Sequence, residues 1–206
     1  DWLRRGVTEL RATMPDEWRT AFSSAPAWNC VIPSCLTGSR TFIGVIAPSR
    51  DRVGREFPIC AGVALTGDAA SRELIADAHG WMWSLGELIV EARDRPMPLE
   101  AFDASLLDIP LPAIPAESGG STSDHDILSV LGDGGADVAT LPMRLAQALP
   151  WPELPNMFDS SSATSFWWTN AGAGGPLRGF STDDGLAPSV MVTLMRPLTS
   201  LSRTRP

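Results

Sequence analysis

The sequence predicts an α+β domain of three layers, with a largely antiparallel β-sheet covered by helices. Three observations lead to this prediction: two amphipathic segments open the chain, short hydrophobic segments follow, and a long helical pattern comes after them. The 206 residues are 44% hydrophobic and 19% charged, which is typical of a globular protein with one core. We therefore interpret residues 1–206 as a single domain.

The first two helices are predicted from hydrophobic spacing and from proline positions. In "DWLRRGVTELRATM" an apolar stripe repeats at steps of four, three and four residues, through Leu3, Val7, Leu10 and Met14. A second helix is predicted in "PDEWRTAFSSAP", with Pro15 in its first turn and Pro26 at its end. The chain is thus expected to open with two consecutive helices.

Strands are predicted where the hydrophobic period changes. The segments "WNCVIP", "TFIGVIAP" and "FPICAGVAL" are short, rich in β-branched and aromatic residues, and bounded by Gly, Pro or Ser. "SFWWT" is interpreted as a late strand, whereas "PSVMVTLM" fits a strand or a helix equally. These segments predict a sheet that is covered on at least one face.

A long helix is predicted from Ser71, a favourable N-cap, to Arg95, and Pro96 ends it. Its apolar stripe should lie across the sheet. Residues 110–126 are rich in proline and then in glycine and serine, which predicts an irregular, partly mobile connection. A further helix is expected around residues 141–149.

Missing residue types exclude several chemistries. All sixteen basic side chains are arginine, so the chain has no phosphate-binding or Schiff-base lysine. Its two histidines are His79, in a helical pattern, and His125, in the loop-like "SGGSTSDHD", and neither suits a nucleophile-histidine pair. No group of His, Cys and acidic residues has metal-ligand spacing, so we expect no metal and no cofactor.

Charge and hydropathy narrow the partners and the compartment. The formal net charge of −8 disfavours nucleic acid as a partner. No apolar run is long enough to span a bilayer, which needs about 18–20 residues, so no membrane insertion is expected. Cys30, Cys35 and Cys60 form no disulfide framework and are interpreted as reduced, buried thiols of a cytoplasmic protein.

The segment "SRDRVGR" places Arg50, Arg52 and Arg55 between two hydrophobic strands. In a structural interpretation it is a turn, in which Gly54 adopts a positive φ and Asp51 holds an arginine or caps the turn. The other structural positions of this loop are Ser49, Phe57 and Pro58.

A functional interpretation makes the same segment a recognition loop. Its planar guanidinium groups would bind the carboxylates of a partner or a phosphorylated side chain. Exposed ion pairs contribute only about 0–1 kcal/mol each, so turn stability alone does not explain three neighbouring arginines in an acidic chain. Both interpretations remain open at the level of sequence.

Trp167 and Trp168 are adjacent on a predicted strand and should point to opposite faces of the sheet. Either helices cover both faces and bury both rings, or one ring is part of a contact surface. Tryptophan is over-represented among residues that dominate binding energy, so both rings are candidate partner contacts. Trp18, Trp28, Trp81 and Trp83 are assigned to packing.

"APSRDRVGREFPI", together with the upstream "WNCVIP" and the downstream "SFWWT", resembles the TagF family, also called ImpM, of type VI secretion accessory proteins. The resemblance covers most of the chain and is weakest at residues 110–149. Family members carry a glycine-rich segment before the first helix, so the resemblance implies an N-terminal portion that this chain lacks.

The resemblance implies a cytoplasmic regulator that represses type VI secretion after translation. It also implies a partner, the forkhead-associated scaffold protein of the system's phosphorylation pathway. We therefore expect a protein that binds rather than catalyses. The candidate contact residues are Arg50, Asp51, Arg52, Arg55, Trp167 and Trp168.

An enzyme or a small-ligand sensor, with an arginine-lined anion pocket at residues 49–55, is the alternative. A pocket walled by arginines, with Asp51 free to act as a base, would favour the enzyme. A flat arginine surface beside exposed apolar side chains would favour protein binding.

Overall fold

The computed structural model describes residues 1–51, 53–66, 70–95, 97–112, 154–169, 179–183 and 185–196. The helix predicted at 141–149 and nearly all of the connection predicted at 110–126 lie outside these ranges. Arg52 lies outside them as well.

Helices flank the strands along the described chain. They are α1 (Trp2–Thr13), α2 (Trp18–Ser24), α3 (Ser34–Thr37), α4 (Arg72–Asp94), α5 (Leu99–Leu107), α6 (Leu154–Met157) and α7 (Pro188–Leu194). The hydroxyl of Ser71 caps α4 by accepting the backbone N–H of Leu74 at 3.1 Å. The segment "PSVMVTLM", which fitted a strand or a helix, is helical, with Pro188 in the first turn where proline is favoured.

The strands form one sheet. They are β1 (Trp28–Ile32), β2 (Arg40–Arg50), β3 (Glu56–Thr66), β4 (Ser165–Thr169) and β5 (Gly179–Thr182). Their order across the sheet is β3-β2-β1-β4-β5, and every neighbouring pair is antiparallel. The predicted α+β fold with an antiparallel sheet is therefore confirmed.

Alternation along the strands divides the core into two layers. Cys30 and Trp167 face the side covered by α1, α2 and α7. Val31, Val45 and Trp168 face the opposite side, which α4 covers and α5 borders. Because successive side chains of a strand point to opposite faces, a short run such as "SFWWT" contributes to both layers. The three-layer arrangement follows.

Two tryptophans hold α7 against the core layer that contains Cys30 and Trp167, which we call the first layer. The indole N–H of Trp2 donates to the carbonyl oxygen of Ala187, just before α7, at 3.0 Å. The indole N–H of Trp28 donates to the carbonyl oxygen of Leu194, the last residue of α7, at 2.7 Å. Both ends of α7 are therefore bound to elements from the first thirty residues of the chain.

β2 and β3 approach closely at two facing glycines, Gly44 and Gly62. A Cβ atom at Gly44 would lie 2.3 Å from the carbonyl oxygen of Ala61 and 2.8 Å from the ring of Phe42. A Cβ atom at Gly62 would lie 2.6 Å from the same ring. The Phe42 ring therefore occupies the space that two side chains would otherwise need.

The structure corrects two details of the sequence interpretation. α2 begins at Trp18 rather than in the turn after Pro15, because the carbonyl oxygen of Met14 accepts the N–H groups of Glu17 and Trp18 and forms a separate turn. All three cysteines are free, but only Cys30 is buried: Cys60 is half-buried, and Cys35 is exposed because it lies on α3 outside the sheet. Burial raises the pKa of the Cys60 thiol to about 12.

Candidate functional site

The segment "SRDRVGR" forms the tip of the hairpin between β2 and β3. The two strands pair in register up to Arg50 and Glu56, and the backbone N–H of Asp51 then donates to the carbonyl oxygen of Arg55 at 3.0 Å. Gly54 has a φ of 83°, in the left-handed region that glycine adopts without strain. The predicted turn and the role of Gly54 are therefore as the sequence indicated.

Asp51 organises this turn. One carboxylate oxygen accepts the backbone N–H groups of Val53 at 3.0 Å and Arg55 at 2.8 Å, and the other accepts Nε of Arg55 at 2.6 Å. The hydrogen bonds from the Arg55 backbone and side chain hold the pKa of the Asp51 carboxyl below its ordinary value. Asp51 thus caps the turn and holds an arginine at once.

Protonation of Asp51 is expected to loosen the hairpin tip at low pH. Its pKa is lower in the folded chain than in the unfolded one, so its contribution is complete above the ordinary value of 3.8 and is lost as the pH falls below it. NMR titration of the Val53 and Arg55 amides should show a coupled shift in this range. Asp51→Asn should abolish the shift, and a titration unchanged by this substitution would contradict the assignment.

Glu56 anchors the end of the hairpin next to the turn. Glu56 is only 7% exposed. Its carboxylate lies 2.7 Å from a terminal nitrogen of Arg50 and 3.8 Å from Nε of Arg19 on α2. A buried carboxylate needs such cationic partners, because desolvation penalises an unpaired charge. Arg50 therefore has a structural role, although 63% of its side chain remains exposed.

Exposed apolar residues flank these arginines along the sequence of the hairpin. Val53 is 76% exposed and Phe57 is 46% exposed, and the Arg55 side chain is 81% exposed. We call these three residues together with Arg50 the hairpin-tip surface. It combines cationic and apolar side chains at the turn end of the hairpin, with Phe57 on the opposite face of β3 from Glu56, the partner of Arg50. Exposed apolar side chains near arginines are what the sequence interpretation associated with protein binding.

A cleft of about 210 Å³ lies beside the last paired residues of the hairpin, next to its turn. It is lined by Phe22, Ser23, Pro48, Ser49, Arg50, Glu56, Arg93 and Asp94. Its two arginines face carboxylates, since Arg50 contacts Glu56 and Arg93 lies 2.8 Å from Asp94. The cleft therefore has mixed charge, and Asp51, the base of the enzyme alternative, does not line it.

The tryptophan pair lies in the core. Trp167 is 1% exposed and Trp168 is 2% exposed, on opposite faces of the sheet. Trp167 stacks on Phe180 with ring centroids 6.2 Å apart and contacts Trp2 at 5.8 Å. The interpretation in which either ring contacts a partner needs an exposed ring and is corrected here, because helices cover both faces.

Arg52 belongs to the predicted site but lies outside the residues described. Phe57 joins the hairpin-tip surface, whereas Pro58 is buried and Ser49 lies at the cleft. Sequence reasoning missed Val53, Arg19 and Glu56. In "REFP", residues alternate between the two faces of the strand, so Glu56 shares a face with Pro58. This shared face is the one feature of the sequence that could have indicated that Glu56 is buried.

Within the described ranges, no group of three His, Cys, Asp or Glu side chains could hold a metal ion. The helices of the same ranges include none long and apolar enough to cross a bilayer.

The fold and this site define a three-layer α+β domain with an exposed arginine-bearing hairpin. The chain belongs to the TagF family: the model of the TagF N-terminal domain, described as type VI secretion system-associated, matches residues 1–109. The protein is therefore linked to type VI secretion, as the resemblance in sequence implied.

A solved structure has the same fold. The crystal structure of PA0076 from Pseudomonas aeruginosa PAO1 superposes with a TM-score of 0.61 at 21% sequence identity. The match covers 95% of this chain and 81% of that one. A comparison with curated protein sequences found no match.

Proposed function

We propose that this protein is a non-enzymatic cytoplasmic regulator that represses type VI secretion after translation by binding another protein. Its proposed partner is the forkhead-associated scaffold protein of the system, which the family assignment suggests. The hairpin-tip surface is the proposed contact.

The observation that carries this proposal is the composition of the hairpin tip. Val53 and Phe57 expose apolar surface within a few residues of the Arg50 and Arg55 guanidinium groups. Arginine and aromatic residues are enriched where binding energy concentrates, and guanidinium groups bind carboxylates or phosphates through paired hydrogen bonds.

The chemistry of the remaining groups supports binding over catalysis. The Asp51 carboxylate is engaged by its own turn. Burial raises the pKa of the Cys30 thiol, which disfavours the nucleophilic thiolate near neutral pH, and desolvation lowers the pKa of His79, which favours its neutral form. The chain also contains no lysine.

The hairpin-tip surface can be tested without disturbing its ion pairs. Arg50→Glu would place a second carboxylate against buried Glu56, so it would confuse folding with binding. Val53→Glu instead adds a negative charge on a side chain that is 76% exposed. We expect it to weaken binding of the scaffold protein at least about thirtyfold and to relieve repression of secretion. Calorimetry and secretion assays measure the two effects.

The matched control is Leu107→Glu, the same change at a side chain that is 85% exposed on α5. Both variants should unfold close to wild type, because surface substitutions usually change stability by about 0.5 kcal/mol or less. Binding by the unsubstituted protein should weaken as salt rises. Equal affinities of the two variants for the scaffold protein would reject the hairpin-tip surface as the contact.

A further inference from the structure

β3 is an edge strand with a long unpaired side. Within the residues that the structure describes, its eleven residues pair with β2 and with no other strand. The register is continuous from Arg40 opposite Thr66 to Arg50 opposite Glu56, so no bulge interrupts it. Natural edge strands are normally shortened, bulged, charged, interrupted by proline or covered by another element, which prevents pairing with another chain. This edge lacks the first two of these protections.

Two prolines reveal which backbone groups of β3 face outward. Pro48 lies opposite Pro58, and since neither has an N–H group, this cannot be a hydrogen-bonded pair of the ladder. Hydrogen-bonded pairs alternate with the others in an antiparallel ladder. The odd-numbered residues of β3 therefore bond to β2. The N–H and C=O groups of Cys60, Gly62, Ala64 and Thr66 point away from the sheet.

The third protection, charge, is missing after Glu56, and the one proline of the strand, Pro58, lies near its start. From Phe57 to Thr66 the sequence is "FPICAGVALT", without a charged residue, and residues 59–64 are all half-buried. The outward positions carry the small side chains of Cys60, Gly62 and Ala64. Among the described residues, a second strand would therefore meet no charged side chain along residues 57–66 of this edge.

We propose that β3 pairs antiparallel with β3 of a second copy of this chain, about a two-fold axis at Gly62. Near such an axis each residue meets itself or its close neighbours, so any charge would face a like charge. An uncharged stretch of small residues meets this condition, although each copy carries a formal net charge of −8.

The outward groups fix the register of this pair. Gly62 would exchange hydrogen bonds with Gly62 of the second copy, and Cys60 with Ala64. The N–H group of Thr66 would donate to the carbonyl oxygen of Pro58 in the second copy. Proline has no N–H group, so this pair has one hydrogen bond instead of two. Among the described strands the opposite edge is β5, which has only four residues. Because the long edge is used up by one pairing, the assembly closes as a dimer.

The test is the mass of the purified 206-residue chain in sedimentation equilibrium, which should rise from one to two chain masses with concentration. Ala64→Pro should raise the dissociation constant at least about tenfold, because each copy loses an outward donor. Pro58 already occupies an equivalent outward position, so the fold should tolerate this change. Ala64→Ser keeps the N–H group and should dimerise like wild type.

Amide exchange on the unsubstituted protein gives an independent readout. The amides of Gly62 and Ala64 should gain protection as concentration rises, while those of Ala61 and Val63 stay protected throughout by β2. A monomer at every concentration, or amide protection at Gly62 that does not change with concentration, would overturn the proposal. So would a folded Ala64→Pro variant that dimerises normally.

Discussion

Trp167→Ala is expected to destabilise the domain by about 3–5 kcal/mol. The side chain is 1% exposed, stacks on Phe180 and contacts Trp2, so its removal leaves a large cavity in the first layer. Domains of this size are stable by only about 5–15 kcal/mol, so the variant should be close to unfolding. Urea unfolding followed by circular dichroism measures the loss.

Trp18→Ala is the matched control for this prediction. Trp18 is half-buried on α2, with the guanidinium group of Arg11 over its ring at 4.4 Å, and its loss should cost clearly less. Trp167→Phe should recover part of the stability by refilling the cavity. If Trp167→Ala kept wild-type stability and lost only partner binding, the ring would be a contact residue and its assignment to the core would be wrong.

Gly44→Ala is expected to destabilise the sheet by at least about 1–3 kcal/mol, despite adding one methyl group. The new Cβ would lie 2.3 Å from the carbonyl oxygen of Ala61 and 2.7 Å from the Cα atom of Gly62. Both are backbone atoms, so β3 itself would have to move. The loss should appear as a lower denaturation midpoint.

Gly80→Ala on α4 should have the opposite sign. A Cβ at Gly80 would meet nothing within 4 Å, and alanine in a helix is more favourable than glycine by about 1 kcal/mol. The same substitution should therefore destabilise the chain at position 44 and stabilise it at position 80. Equal effects at both positions would show that the close approach of β2 and β3 relaxes without penalty.

The position of the hairpin could be predicted from sequence because its signals are local. Gly54 and Asp51 favour a turn, and the hydrophobic segments on either side favour strands. The anchoring of that hairpin could not be predicted. Glu56 meets Arg50 only through the strand register, and Arg19 approaches it from a helix far earlier in the chain. Neither contact can be inferred from the residues around Glu56 in the sequence.

The helix α7 shows the same limit. "PSVMVTLM" is apolar on most sides, and its valines suit strands, so periodicity could not decide between strand and helix. The indole groups of Trp2 and Trp28, which bind the two ends of this helix, come from the opposite end of the chain. The burial of Trp167 could not be predicted for the same reason, because α7 covers the face of the sheet to which that ring points.

The bond between Trp2 and Ala187 joins positions 185 residues apart. Residues 1–109, which the family model matches, contain β1 but neither its neighbour β4 nor the helix that seals its apolar face. A chain emerging from the ribosome therefore holds Trp2 and Trp28 uncovered until synthesis has passed residue 194. The domain is therefore expected to complete its folding only after residue 194 has been synthesised.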